Sequence, residues 1–162
     1  MRVRSRWIFN CYVIEDGGAG APLVIDAGLP SIGAAACDDL RQLDAVSHEV
    51  PLVATHGHSD HVGGLPLLHA RGAGVILLPS KVRDYIAGER PRGPGPAEVA
   101  KMVPVWSDQP FTLAPLWEAA VGAPTAGFSV AGFRFEPPIE GFLEDGNAVP
   151  GAPDWQVLKT PG

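Results

Sequence analysis

Four side chains that can bind a divalent metal ion stand within six consecutive positions: His56, His58, Asp60 and His61. Neutral imidazole and carboxylate are the nitrogen and oxygen ligands that zinc, iron and manganese accept in proteins. In extended backbone, residues two apart point to the same side, so His56 and His58 can hold one ion together. Asp60 and His61 follow a bend in the chain and can face a second ion. Two ions roughly 3.5–4 Å apart can hold a bridging hydroxide and polarise a carbonyl or phosphoryl oxygen.

The elements on either side of this run place it on a loop. The apolar residues 50–54 predict a buried strand, and Gly63-Gly64-Leu65-Pro66 predicts a turn that leads into a helix. The ligands would then lie at the carboxyl end of a strand, where open α/β sheets place their chemistry. Gly57 would keep the space between the first two imidazoles free. The alternative is a loop in which Asp60 caps the next helix and the histidines are solvated.

The run resembles the signature of the metallo-β-lactamase superfamily, with Thr55 before His56-x-His58-x-Asp60-His61 and two glycines after it. The resemblance implies an α/β layered fold, the four-layered αββα sandwich, with one or two metals at its edge. Asp26-Ala27-Gly28 is similar to the superfamily's opening motif, whose aspartate supports the metal loop by hydrogen bonds. By this resemblance, we expect Asp26 to support the metal loop. The alternative is that Asp26 is an ordinary turn residue.

The activity that the resemblance implies is hydrolysis of an ester, thioester, lactone or amide through a metal-bound hydroxide. His56, His58, Asp60 and His61 would be ligands of one or two zinc ions, and Asp60 would also be catalytic by orienting or relaying a proton. Thr55, Gly57 and Asp26 would shape and support the loop. Iron or manganese would also suit these ligands. An iron-dependent oxidoreductase is an alternative, although the di-iron flavoprotein relatives typically show Glu at the position of His58.

The chain ends where the superfamily leads from Thr-Pro-Gly into a third histidine. We therefore expect residues 1–162 to form a single domain that is incomplete at its C-terminus, truncated after the first half. Each ion would then have two protein ligands rather than the usual three, and an uncovered sheet face would favour self-association. The alternative function is a non-catalytic fragment that binds metal weakly or not at all.

The amino-acid composition limits the classes of partner and the cellular compartments that we expect for this protein. Apolar residues make up 46% of the chain and charged residues 19%, as in globular proteins. The net charge of −6 argues against nucleic acid and favours a small-molecule substrate. No apolar run is long enough for a membrane span. Cys11 and Cys37 are too few for a disulfide scaffold, so we expect buried, reduced thiols and a cytoplasmic protein.

Hydrophobic periodicity predicts alternating strands and helices, which supports an α/β layered fold. Strands are expected over residues 7–15, 23–25, 75–78, 133–135 and 155–158, with a hairpin turn over 17–20. Helices are expected from Ser31 to about residue 46, over 65–69, and from Ser80 to residue 87.

In the first helix, Ile32, Ala36, Leu40 and Leu43 form the apolar stripe and Asp39 belongs to a solvated face. The buried edge of the helix after Ser80 would be Val82, Tyr85 and Ile86. His48 and His69 are expected on polar surfaces.

Residues 89–97 predict a surface loop that leads into a Pro-rich stretch with large apolar side chains. These are Trp106, Phe111, Leu113, Leu116, Trp117 and Phe128. The stretch either covers the core or lines a substrate pocket or a subunit contact.

Overall fold

The computed structural model describes residues 1–18, 20–90, 96–108, 113–122, 126–129 and 132–160. Its strands are β1 (Arg2–Arg6), β2 (Phe9–Ile14), β3 (Leu23–Ile25), β4 (Pro51–Val53), β5 (Val75–Pro79), β6 (Ala126–Ser129), β7 (Gly132–Phe135), β8 (Gly141–Leu143), β9 (Ala148–Val149) and β10 (Ala152–Gln156). Its helices are α1 (Pro30–Gln42), α2 (Ser59–Val62), α3 (Leu65–Ala70), α4 (Val82–Ile86), α5 (Pro96–Ser107) and α6 (Leu113–Gly122).

Six strands form one mixed sheet in the order β1-β2-β3-β4-β5-β8. The first three strands are antiparallel, and β3, β4, β5 and β8 run parallel. Because β3, β4 and β5 point the same way, the segments that follow their carboxyl ends meet at one edge of the sheet. Two further pairs, β6 with β7 and β9 with β10, are antiparallel.

Successive side chains of a strand point to opposite faces of the sheet. Side chains on both faces of this sheet are buried, so each face is packed against another part of the chain. One face packs against α1 and α3, and its core includes Val24, Leu52 and Ile76. The other face, which includes Leu23 and Leu77, packs against Val149 and Ala152 of the β9–β10 pair. The predicted α/β layered fold is confirmed, with a helix layer on one face of the sheet and strands on the other.

The first strand differs from the prediction of one strand over residues 7–15. The chain instead forms a hairpin in which β1 pairs with β2, with Arg4 opposite Cys11. Trp7 lies at the turn with φ 56°. The sequence of β1 is typical of a polar loop, because none of its residues is buried and its arginines bond to polar groups of α1.

Asp39 is buried rather than solvated, which corrects the prediction for the first helix. Arg4 donates to it from Nε at 2.5 Å and also from Nη2, and Arg2 donates from Nη1 at 3.1 Å. The hydrogen bond from Arg4 lowers the pKa of Asp39 although burial opposes the charged form. The carboxylate is tolerated inside because two guanidinium groups from the neighbouring hairpin satisfy it.

The first helix also has other ends than predicted. Leu29 is its N-cap, Ser31 lies inside it, and it ends at Gln42 rather than near residue 46. The predicted stripe is confirmed, since Ile32, Ala36 and Leu40 are buried and Leu43 packs on the core. Both cysteines are free and buried, as predicted.

The other boundaries shift by a few residues. Lys81, not Ser80, is the N-cap of α4, and Ile86 is 55% exposed rather than buried. The last strand, β10, ends at Gln156. Parts of three predictions, at positions 19, 91–95 and 109–112, lie outside the described residues, as do the side chains of Trp106 and Leu116.

Helix α6 is attached to the start of α1 by one carboxylate. Glu118 accepts from the Ser31 hydroxyl at 2.7 Å, from the Ser31 N–H, and from Arg6 at 2.9 Å. On the same helix, Leu113 and Trp117 are largely exposed. Within the described ranges, no helix is both long and apolar enough to cross a membrane.

Candidate metal centre

The loop between β4 and α2 is attached to the end of the neighbouring strand β3. Asp26 follows β3 with φ 59°, a left-handed conformation that aspartate tolerates better than most residues. Its N–H donates to Val53 at 2.9 Å. Its carboxylate accepts from the Thr55 N–H at 2.7 Å and from the Thr55 hydroxyl at 2.8 Å. Asp26 therefore fixes the first residue of the loop, in the position expected for loop support.

His56, His58 and Asp60 converge at this loop. One ligand atom from each lies within 4.8 Å of the other two. Two ligands about 2.1 Å from a tetrahedral ion stand roughly 3.4 Å apart, so small side-chain rotations would bring these three onto one ion. Imidazole nitrogen and carboxylate oxygen are the donors that zinc takes, so the residues present fit such an ion.

His61 lies beside this group and is held by two carboxylates. Its ring centroid is 3.7 Å from that of His56. Its Nδ1 lies 3.0 Å from Asp26 Oδ2, and its Nε2 lies 3.4 Å from Asp60 Oδ2. The structure thus brings all four predicted ligands together, with His61 in contact with both His56 and Asp60. How the four would divide between two ions stays a prediction.

The electrostatics of the cluster set its protonation. Burial lowers the pKa of His56 to about 4, and the neighbouring rings of His61 and His58 act in the same direction. Burial also opposes a charge on His61, but hydrogen bonds and charges from Asp26 and Asp60 outweigh it and raise its pKa to about 9. Burial raises the pKa of Asp60, yet the hydrogen bond and charge of His61 produce a net lowering. At neutral pH, His56 is neutral and Asp60 is ionised, which are the forms that bind a cation, whereas His61 is protonated and would release a proton on binding one.

The absence of a side chain at Gly57 leaves room for residues packed against the loop, whereas the prediction placed that room between the His56 and His58 imidazoles. Gly57 is buried. A Cβ at this position would lie 3.2 Å from the Phe133 ring, 3.4 Å from the Tyr85 ring and 3.4 Å from Val82. The missing side chain therefore lets aromatic residues pack beneath the loop, in addition to any role between the imidazoles.

Two clefts flank the cluster. A cleft of about 510 Å³ opens beside His56 and His58, and Tyr85 and Phe128 also line it. A smaller one of about 120 Å³ lies between Asp60, His61 and the β1–β2 hairpin. The sequence left open whether the Pro-rich stretch that contains Phe128 covers the core or lines a substrate pocket or a subunit contact. In the structure, Phe128 lines the larger of the two clefts.

Tyr85 was predicted only as a buried helix edge, and Phe133 only as part of a strand. The alternation of Phe133 and Phe135 indicates a strand with one aromatic face, but nothing local to the sequence places that face against residues 56–58. His48 is exposed, as predicted. His69 stands apart from the cluster; its Nδ1 is buried and has no hydrogen-bond partner among the described residues, so a polar helix face does not explain it.

Comparison with known proteins places this arrangement in a family. The family model for the metallo-beta-lactamase superfamily matches residues 6–162. Because the match spans nearly the whole sequence, with the loop at its centre, the chain belongs to the metallo-beta-lactamase superfamily.

A curated relative has a name that states a particular activity rather than a superfamily. The chain is 35% identical over 79 residues to a hydroxyacylglutathione hydrolase of Stenotrophomonas maltophilia (strain R551-3). The match covers 48% of this chain and 28% of that protein, so the chain spans less than a third of the relative's length.

Two solved structures from Cronobacter sakazakii are also similar. One is a mutant in the HARLDQ motif of a metallo-beta-lactamase, with a TM-score of 0.48 and 14% identity, covering 90% of this chain and 44% of that one. The other is a metallo-beta-lactamase with the HARLDQ motif, with a TM-score of 0.45 and 14% identity, covering 86% of this chain and 42% of that one.

Proposed function

We propose that this protein is a metal-dependent hydrolase, with zinc as the metal, acting on a small ester, thioester, lactone or amide. The observation that carries the proposal is the convergence of His56, His58 and Asp60 on the loop after β4, in a chain that belongs to a superfamily of metal-binding proteins. The hydrolase name of the curated relative supports the same kind of reaction.

Each residue of the loop has a part in this proposal. His56 and His58 offer imidazole nitrogens to the metal, and Asp60 and His61 complete the set of ligands. When bound, zinc would act as a Lewis acid that activates water at neutral pH. The Asp60 carboxylate can orient the attacking water and accept its proton. Thr55 and Asp26 hold the loop so that these groups keep their directions.

The substrate and the compartment belong to the same proposal. The net charge of −6 supports a small molecule rather than a nucleic acid. The two free, buried cysteines support a cytoplasmic location for the protein, because thiols stay reduced in the cytoplasm. Self-association stays a prediction, which sedimentation velocity over a range of concentrations would test; the sheet face expected to be uncovered packs in part against the β9–β10 pair.

The test combines metal content with turnover. We expect purified chain to retain zinc after dialysis against a weak chelator and to hydrolyse a thioester in a zinc-dependent way. Replacing both His56 and His58 by alanine should remove the zinc and the turnover, because only Asp60 and His61 remain as donors. His48→Ala is the matched control, since His48 is exposed and lies outside the cluster. Turnover that survives in the double variant would refute the proposed catalytic site.

A further inference from the structure

Three aromatic rings stand next to the ligand cluster. Phe128 lies 5.8 Å from the His58 ring, 4.6 Å from Tyr85 and 5.5 Å from Phe133, measured between ring centroids. We call Tyr85, Phe128 and Phe133 the aromatic cluster. Two of its members, Tyr85 and Phe128, line the cleft of about 510 Å³ that His56 and His58 also line. This volume lies within the usual range for small-molecule sites.

The aromatic cluster is fixed to the metal loop by close backbone contact. Gly127, at φ +93°, packs so tightly that a Cβ there would stand 2.6 Å from the Ser59 nitrogen and 3.0 Å from the His58 carbonyl carbon. Gly57 meets Phe133 and Tyr85 from the other side. The rings therefore hold a defined position relative to the metal ligands and do not merely lie nearby.

Apart from the proposed metal, the lining of the cleft is aromatic and uncharged. Among the described residues that line it there is no lysine or arginine. Lys81 lies close to this lining, with its Nζ 5.9 Å from the Tyr85 ring centroid. That ammonium is already paired with Asp84 at 2.9 Å and with Glu89 at 2.8 Å. Apart from a bound metal ion, a carboxylate or phosphate on a substrate would therefore meet no lysine or arginine among these lining residues.

We propose that the aromatic cluster is the specificity site of the enzyme and binds an aryl or other apolar group of an uncharged ester or thioester. The carbonyl group would then lie toward His56 and His58, and the apolar group would pack on Tyr85 and Phe128. This inference rests on the proposed hydrolase function and names its substrate class. Aromatic pairs prefer the edge-to-face and offset geometries that the rings already adopt, so an incoming ring extends an existing arrangement.

Binding is measured first, without turnover. The probe is 4-phenylbutan-2-one, a ketone that cannot be hydrolysed, titrated by ligand-observed NMR against zinc-free and zinc-loaded full chain. Phe128→Leu keeps an apolar side chain but removes the ring, and should weaken binding by about three- to tenfold. Phe135→Leu is the matched control, because Phe135 lies on the same hairpin but does not line the cleft. Equal affinity in wild type and Phe128→Leu, or equal loss in both variants, would overturn the proposal.

Turnover is then measured on phenylacetyl and succinyl thioesters of N-acetylcysteamine with the zinc-loaded chain. A kcat/KM ratio that favours the phenylacetyl compound and falls in Phe128→Leu supports the specificity site. Preference for the anionic succinyl compound would overturn it. Failure to hydrolyse either thioester, with ketone binding and its dependence on Phe128 intact, would overturn the hydrolase function while supporting the aryl-binding site.

Discussion

Replacing Asp26 by asparagine should weaken zinc binding, because it changes which nitrogen of His61 carries the proton. The Asp26 carboxylate faces His61 Nδ1 at 3.0 Å and can only accept, so Nδ1 keeps its hydrogen when His61 releases a proton to bind a metal, and Nε2 is the nitrogen that gains a lone pair. In Asp26→Asn, the Thr55 N–H still needs an acceptor at the Oδ1 position. The amide NH₂ must then face His61, which moves the hydrogen to Nε2 and blocks that nitrogen as a ligand.

The size of the effect follows from the bonds lost. A hydrogen bond to a charged group contributes about 1.5–3 kcal/mol. Loss of a partner that orients a metal ligand typically reduces affinity by about 10–100-fold, which corresponds to roughly 1.4–2.8 kcal/mol. The two figures agree, so we expect zinc affinity to fall by about 10–100-fold. Asparagine also tolerates the left-handed backbone at this position, so the substitution adds little strain.

The assay is competition for zinc with a chromophoric chelator, on protein whose folding is verified by circular dichroism. Asp39→Asn is the matched control. Asp39 is also buried, but it pairs with Arg2 and Arg4 rather than with the metal loop. This control should lower the free energy of unfolding by about 1.5–3 kcal/mol, because the two arginines that it leaves are partly exposed, and should leave the zinc affinity of the folded chain unchanged. Unchanged affinity in Asp26→Asn, or an equal decrease in both variants, would refute the reasoning.

Two further predictions concern stability. The pKa of Asp39 is lowered in the folded chain, so its contribution to stability is present above the unfolded pKa of about 3.8 and is lost as pH falls through the folded value. Urea unfolding from pH 5 to pH 2.5 should therefore show a steeper loss in wild type than in Asp39→Asn, and parallel profiles would contradict the ion pairs. Gly127→Ala should destabilise the chain by more than Gly132→Ala in thermal unfolding. Both glycines have positive φ, but only at Gly127 would a Cβ overlap backbone, that of Ser59. Equal losses would mean that the β6–β7 hairpin does not pack on the metal loop.

Much of the site could be predicted because its information is local. The ligand types, their spacing and the turn before the next helix all lie within about a dozen residues, and Asp26 follows a recognisable strand. The elements around them follow from apolar periodicity, which depends on neighbours along the chain. The predicted metal-loop strand and the helix after it, Leu65–Ala70, are therefore both present in the structure.

Other features depend on contacts between residues far apart in sequence. Asp38 and Asp39 look alike in the sequence, but only Asp39 faces two arginines that lie more than 30 residues away. The strand that carries those arginines was missed for the same reason, since its polar side chains have a role only once α1 packs beside it.

The sequence by itself determined the candidate ligands, the loop that carries them and the α/β layering, because spacing and periodicity are properties of the local chain. Only the tertiary structure decided that the His61 ring lies between the carboxylates of Asp26 and Asp60, and that Phe128 stands beside His58, 70 positions away along the chain. The physical reason is that close packing between the β6–β7 hairpin and the metal loop depends on the path of the whole chain. No local pattern specifies which aromatic residue completes the cleft.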